Sequence, residues 1–130
     1  MRAPPPEPLE TPVPAVQISA DDLTKILTLL GEHKHCGKCA GPTGWTYEHI
    51  LAATQATSKC FRATLRFVNL VLSGELPRAG FLLESSLVGT QKPSGGVRPI
   101  AIGDTWYRGA MHCALGVLGR EVGESLAPLQ

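Results

Sequence analysis

The stretch "TQKPSGGVRPIAIGD", residues 90 to 104, sets Lys92 just before a Pro-Ser-Gly-Gly turn and Arg98 just after it. A tight hairpin brings the two near one another at its mouth. The lysine is then a mobile point charge and the arginine a rigid fork able to grip two phosphate oxygens. Gly95 and Gly96 admit positive φ in the turn and leave no Cβ in the way of an approaching ligand or nucleic-acid backbone. The chemistry that suits this pair is recognition of a triphosphate. An ordinary edge hairpin with solvated charges beside it has the same local sequence, so the stretch alone leaves both readings open.

Two further constellations carry chemistry-bearing residue types. "HKHCGKC", residues 33 to 39, offers His33, His35, Cys36 and Cys39, all of them zinc ligand types, with a Cys-x-x-Cys spacing that zinc knuckles use. A second cysteine pair at finger-length separation is lacking, and Cys60 and Cys113 stand alone, so a polar loop with incidental cysteines is the preferred reading. "GPTGW", residues 41 to 45, encodes a tight turn in which Thr43 or Thr46 can cap the helix that follows. Free N–H groups at such a helix start can bind phosphate. The spacing and lysine of a P-loop are absent, which favours a turn that only sets a helix direction.

These residues need elements to position them. Ser19 and Asp22 form a capping-box-like start, after which Leu23, Ile26, Leu27 and Leu30 repeat at helical spacing until Gly31. A second helix is expected from Trp45 to about Thr54, and a third from Ser58 to Leu72 with Phe61, Leu65, Val68 and Leu72 as its apolar stripe. Lys59, Arg62 and Arg66 fall on another face of that third helix, at i, i+3 and i+7. Ser73-Gly74 ends it and Leu76-Pro77 opens a loop. Leu87 to Gln91 and Val97 to Ile102 read as short strands flanking the turn, with Pro99 placing the second at an edge or bulge. Asp104 can cap a last helix whose Tyr107, Met111, Ala114 and Leu118 line one side. The expected fold class is α+β, with helices packed around a β-hairpin.

Composition bounds the rest. A chain of 130 residues makes one domain at most, and six of its eleven prolines lie in "MRAPPPEPLETPVP". That composition buries little apolar surface, so residues 1–17 read as a proline-rich, disordered tail, with folding expected from near Val16. The net charge of +1 is uninformative. Between residues 57 and 108 there is nevertheless a local excess of four positive charges, which suits a polyanionic partner or an ordinary solvated surface. No apolar run is long enough for a membrane span, no signal peptide is recognisable, and the irregular cysteines fit a reducing compartment. An intracellular chain, nuclear or cytoplasmic, is the expectation.

Taken in order, "GPTGW", "SGELP" at 73 to 77, "SSLVGTQKPSGGVRPIAIGDTWYR" at 85 to 108 and "LAPLQ" at 126 to 130 resemble the N-terminal fingers region of reverse transcriptases, particularly those of non-LTR retrotransposons. The resemblance runs from about Ser19 to the last residue, and Lys-Pro-x-Gly-Gly-x-Arg-Pro-Ile is its centre. It implies residues 18–130 as a partial fingers domain of a polymerase right hand. Its hairpin would lie over an incoming deoxynucleoside triphosphate, with Lys92 and Arg98 on the phosphates and Gly95 and Gly96 in the turn. It further implies that Lys59, Arg62 and Arg66 face an RNA template or DNA primer. Such a polymerase works with two divalent metals held by palm aspartates. Asp21, Asp22 and Asp104 are the only aspartates and read as helix-start residues, so Mg2+ is expected only with the palm, which is missing from this stretch, and no cofactor is expected on this chain. Two functions follow as expectations: an enzyme's fingers fragment, inactive by itself, or a noncatalytic nucleic-acid-binding remnant of a retroelement.

Overall fold

The computed structural model describes residues 15–32 and 39–126. The chain enters at Ile18, which is buried and pinned at both ends of its backbone: its N–H donates to Asn69 Oδ1 at 2.8 Å and its carbonyl accepts from Asn69 Nδ2 at 3.1 Å. Helix α1 (Ala20–Leu30) follows, opened by the full Ser19–Asp22 capping box and closed at Gly31, with Leu23, Ile26, Leu27 and Leu30 buried as their spacing requires. The Ser19 backbone and hydroxyl bonds hold the Asp22 carboxyl below the usual carboxylate range.

Helix α2 (Tyr47–Ala56) starts two residues later than its sequence suggests, because Thr46, not Trp45, supplies the turn into it. Thr46 Oγ1 accepts from the His49 N–H while His49 Nδ1 accepts from the Thr46 N–H. Helix α3 (Ser58–Ser73) runs to Gly74, with Thr57 as its cap. Its inward face carries Thr64 and Val68, flanked by Phe61, Leu65, Val71 and Leu72. After the Leu76-Pro77 loop, where Arg78 takes φ 55°, a single turn α4 (Gly80–Leu83) forms that the sequence reading lacked, and it buries Leu82.

Strands β1 (Ser85–Gln91) and β2 (Val97–Gly103) pair antiparallel in unbroken register from Ser85 opposite Gly103 to Gln91 opposite Val97. Pro99 faces Gly89 within that register, on an edge strand without a bulge, as a residue lacking an N–H must be placed. The fold is α+β, with five helices and one two-stranded ribbon among the described residues. The helices do not wrap the ribbon, however, as the sequence suggested. They pack on one another, α1 and α3 against α5 (Thr105–Leu126) and α2 against α3, whereas the ribbon makes few contacts with any helix. Residues 87 to 101 are all exposed.

The face of α5 also differs from its expected one. Thr105 at its start, Ala110 and Cys113 are its fully buried residues, and Trp106, Met111 and Val117 pack beside them, while Tyr107, Ala114 and Leu118 lie half-buried on the flank. Small residues let α1 come close: a Cβ on Gly116 would meet Ile26 Cδ1 at 2.8 Å. Large side chains drew the expected stripe about one residue round the helix, but the close approach selects the small ones. The resulting core joins Ile18, the α1 leucines and Ile26, Tyr47, Ile50, Val68, Ala110 and Cys113. Each fully buried aliphatic side chain there stabilises the fold by about 1.5–3 kcal/mol. No described helix is long and apolar enough to cross a membrane.

Candidate functional site

The hairpin turn is built by its own residues. Gly95 N–H donates to the Lys92 carbonyl and Lys92 N–H to the Gly96 carbonyl, both at 3.0 Å, with Pro93 fixing the first central dihedral. Gly95 and Gly96 take φ of 86° and 87°, and nothing lies within 4 Å of where their Cβ atoms would be. Arg98 pairs with Thr90 inside the ladder, which ends at Gln91 opposite Val97, and Lys92 follows it as the first residue of the turn. The two cations thus flank the turn, one on each arm of the hairpin. Both residues are exposed. The hairpin therefore presents a cation on each side of its turn, both open to solvent.

Lys59, Arg62 and Arg66 form an exposed row on α3, opposite Thr64 and Val68. Beside that row, on the same helix, Ala63 and Phe67 enter a cleft completed by Thr43, Trp45, Thr64, Phe81 and Trp106, of about 440 Å³. Trp106 is its centre, with its ring 5.2 Å from Trp45 and 5.1 Å from Phe67, tilted at 57° and 69°. Sequence spacing gave no sign of this cleft, because its rings come from a loop, α3, α4 and α5. The signal that existed was composition: four of the chain's seven aromatic residues converge here.

"GPTGW" proves to be a joint. The buried Asp104 carboxylate accepts from the Thr43 N–H at 3.3 Å, from the Thr43 hydroxyl, and through its other oxygen from the Trp106 N–H at 2.9 Å. Asp104 is thus the cap of α5, as its position suggested, and also the tie between that helix and the loop. Gly41 packs so closely on the strand exit that an added Cβ would meet the Gly103 carbonyl at 2.6 Å and the Asp104 nitrogen at 2.8 Å. The N–H groups of Thr43, Gly44, Thr46 and His49 all have protein partners, so these four are not open to a phosphate.

Of the four candidate zinc ligands, His33, His35 and Cys36 lie outside the described residues; Cys39 is exposed. The Cys39 carbonyl accepts from Arg108 Nη2 at 2.8 Å, and the same nitrogen donates to Thr105 Oγ1 at 3.0 Å. The Arg108 guanidinium also stands 5.6 Å from the centre of the buried Tyr47 ring. Burial raises the Tyr47 hydroxyl above its ordinary pKa, an effect Arg108 opposes. Of the aspartates, Asp21 is exposed in the first turn of α1, Asp22 is engaged by Ser19, and Asp104 is closed over by Thr43. No group of metal-ligating residues forms among the described residues.

No protein-family model, curated protein or solved structure significantly matches this chain.

Proposed function

We propose that this chain is fingers-type sequence of a reverse transcriptase of the non-LTR retrotransposon kind, an RNA-directed DNA polymerase, and that it supplies the grip on nucleotide and nucleic acid rather than the chemistry. The observation that carries the reading is the ribbon itself: Lys92 and Arg98, both exposed, flank a turn with two glycines at positive φ. There the lysine neutralises charge on a deoxynucleoside triphosphate and the arginine fork bonds two of its oxygens. The row Lys59, Arg62 and Arg66 holds phosphates of RNA template or DNA primer, contacts that fix position and carry no sequence information. Two of the three aspartates, Asp22 and Asp104, are engaged as helix caps, and nucleotidyl transfer is assigned to residues this chain does not contribute. A noncatalytic nucleic-acid-binding remnant shares the α3 row and requires no affinity for a triphosphate, which separates the two readings.

Salt titration of binding to a primer–template with a single-stranded overhang tests the proposal. With three or four phosphate contacts from Lys59, Arg62, Arg66 and Arg98, log affinity falls with log salt at a slope of about −2 to −4. Binding indifferent to salt rejects the basic face, and templated incorporation by this chain alone rejects the division of labour.

A further inference from the structure

We propose that the cleft between Trp45, Phe67, Phe81 and Trp106 receives one unpaired base of a nucleic-acid strand, whose neighbouring phosphates lie along Lys59, Arg62 and Arg66. The proposal rests on the nucleic-acid reading of α3 and adds to it a place where a base is held.

The helix geometry puts the two features side by side. Ala63 and Phe67, one turn apart, form the α3 wall of the cleft. Lys59 lies one turn before Ala63, and Arg66 lies three residues after Ala63 and next to Phe67. A strand following the basic row therefore passes the cleft mouth. Its lining is almost wholly apolar, with Thr43 and Thr64 as the polar members. Its volume of about 440 Å³ falls in the usual range for small-ligand sites, roughly 300–1,000 Å³.

The rings are available. Trp45 keeps 37% and Phe81 44% of its surface in solvent, although both are large apolar side chains. A flat π-system can slide against the faces or edges of the rings, and because every base has a π-face this recognition is indifferent to sequence. An apolar peptide in the cleft would leave the cationic rim without a partner. A base carried between two phosphates uses both the rings and the charges, and that complementarity selects it as the occupant.

The chain has an internal reporter, since both of its tryptophans line the cleft. Oligothymidylate is titrated against the full chain, beside an abasic oligodeoxynucleotide of equal length and charge, with affinity and tryptophan emission followed together. The expected result is emission quenched by the base-containing strand alone and an affinity roughly ten-fold or more above that of the abasic strand. Phe81→Ala, at a position nearly half exposed, then removes the preference for bases, whereas Arg62→Ala weakens both strands alike. Equal affinity for the two strands with unchanged emission overturns the cleft proposal and leaves the basic-row reading standing. Failure to bind either strand overturns both. A concentration-dependent dimer that Phe81→Asp dissociates assigns the cleft to a second copy of the chain and also overturns the proposal. The comparison on the unaltered chain needs no variant to fold.

Discussion

The Asp104 carboxylate takes both the N–H and the hydroxyl of Thr43, a residue 61 positions earlier, while its second oxygen caps α5 through the Trp106 N–H. One fully buried charge thus ties the loop before α2, the exit of the ribbon and the start of the last helix to a single point. Because the ribbon has few other contacts with the helices, this tie sets the direction in which Lys92 and Arg98 are carried.

Asp104→Ala is expected to lower stability by about 3–5 kcal/mol, since it removes a cap and leaves the Thr43 donors facing a buried void. Thr43→Val removes the hydroxyl bond and leaves the carboxylate underbonded, at about 1.5–3 kcal/mol. Urea denaturation measures both. A double mutant that costs no more than Asp104→Ala alone would confirm that the two act as one unit.

Gly41 and Gly44 separate two reasons for glycine. At Gly41 an added Cβ strikes backbone at the strand exit, so Gly41→Ala is expected to cost about 2 kcal/mol or more. At Gly44 the space is open and φ is +77°, so Gly44→Ala carries only the left-handed penalty, about 1–2 kcal/mol. Denaturation midpoints in the reverse order would show that the Gly41 loop yields more readily than its contacts imply.

Lys92→Ala and Arg98→Ala are expected to leave stability within about 0.5 kcal/mol, because both residues are exposed. Each should weaken deoxynucleoside triphosphate binding by about 1.5–3 kcal/mol, the loss of a charge-assisted hydrogen bond. Calorimetric titration with nucleotide and thermal melts of the same samples check both halves. Undiminished binding in both variants removes the triphosphate assignment.

Burial pushes the Cys113 thiol up to about 11 from its ordinary 9.0. Folding thus favours the protonated thiol, and this contribution is complete below pH 9 and is lost as pH rises towards 11. The buried Tyr47 hydroxyl, also raised, acts with the same sign above pH 10. Melting temperatures taken from pH 8 to 11 should fall less steeply in Cys113→Ala than in the unaltered chain. Parallel curves would contradict the assignment.

Arg78 holds φ 55° without being glycine, so Arg78→Gly should relieve about 1 kcal/mol of strain, partly offset by the entropy of the unfolded chain. A small rise in melting temperature is the expected reading, and a fall would show that the Arg78 side chain stabilises its loop.

What was legible in the sequence was local. Ser19, Asp22 and Gly31 mark α1 because cap, stripe and stop coincide within eleven helical residues, and the ribbon follows from the chemistry of its turn. Helix α4 escaped because four residues are too few to show a period. The buried face of α5 was misread because its packing is decided by what Ile26 on α1 has room for, through Gly116, Ala110 and Cys113, which hydrophobic weight cannot reveal. The places of Lys92 and Arg98 on either side of the turn belong to the first kind. The ring cleft and the tie from Asp104 to Thr43 belong to the second, since both join segments that only the folded chain brings together.

The solitary position of the ribbon has a consequence in time. With a single ladder and no third strand among the described residues, its amides are expected to exchange with solvent far sooner than those of α1 or α5, through openings that leave the helices intact. A polyanion that bridges Lys92 and Arg98 would close the free end of that ladder and slow its exchange. Part of the gain from each such contact would then go into quieting the ribbon, so a grip of this kind would be weaker than its charges suggest and a bound polyanion's residence time would follow the ribbon's own opening.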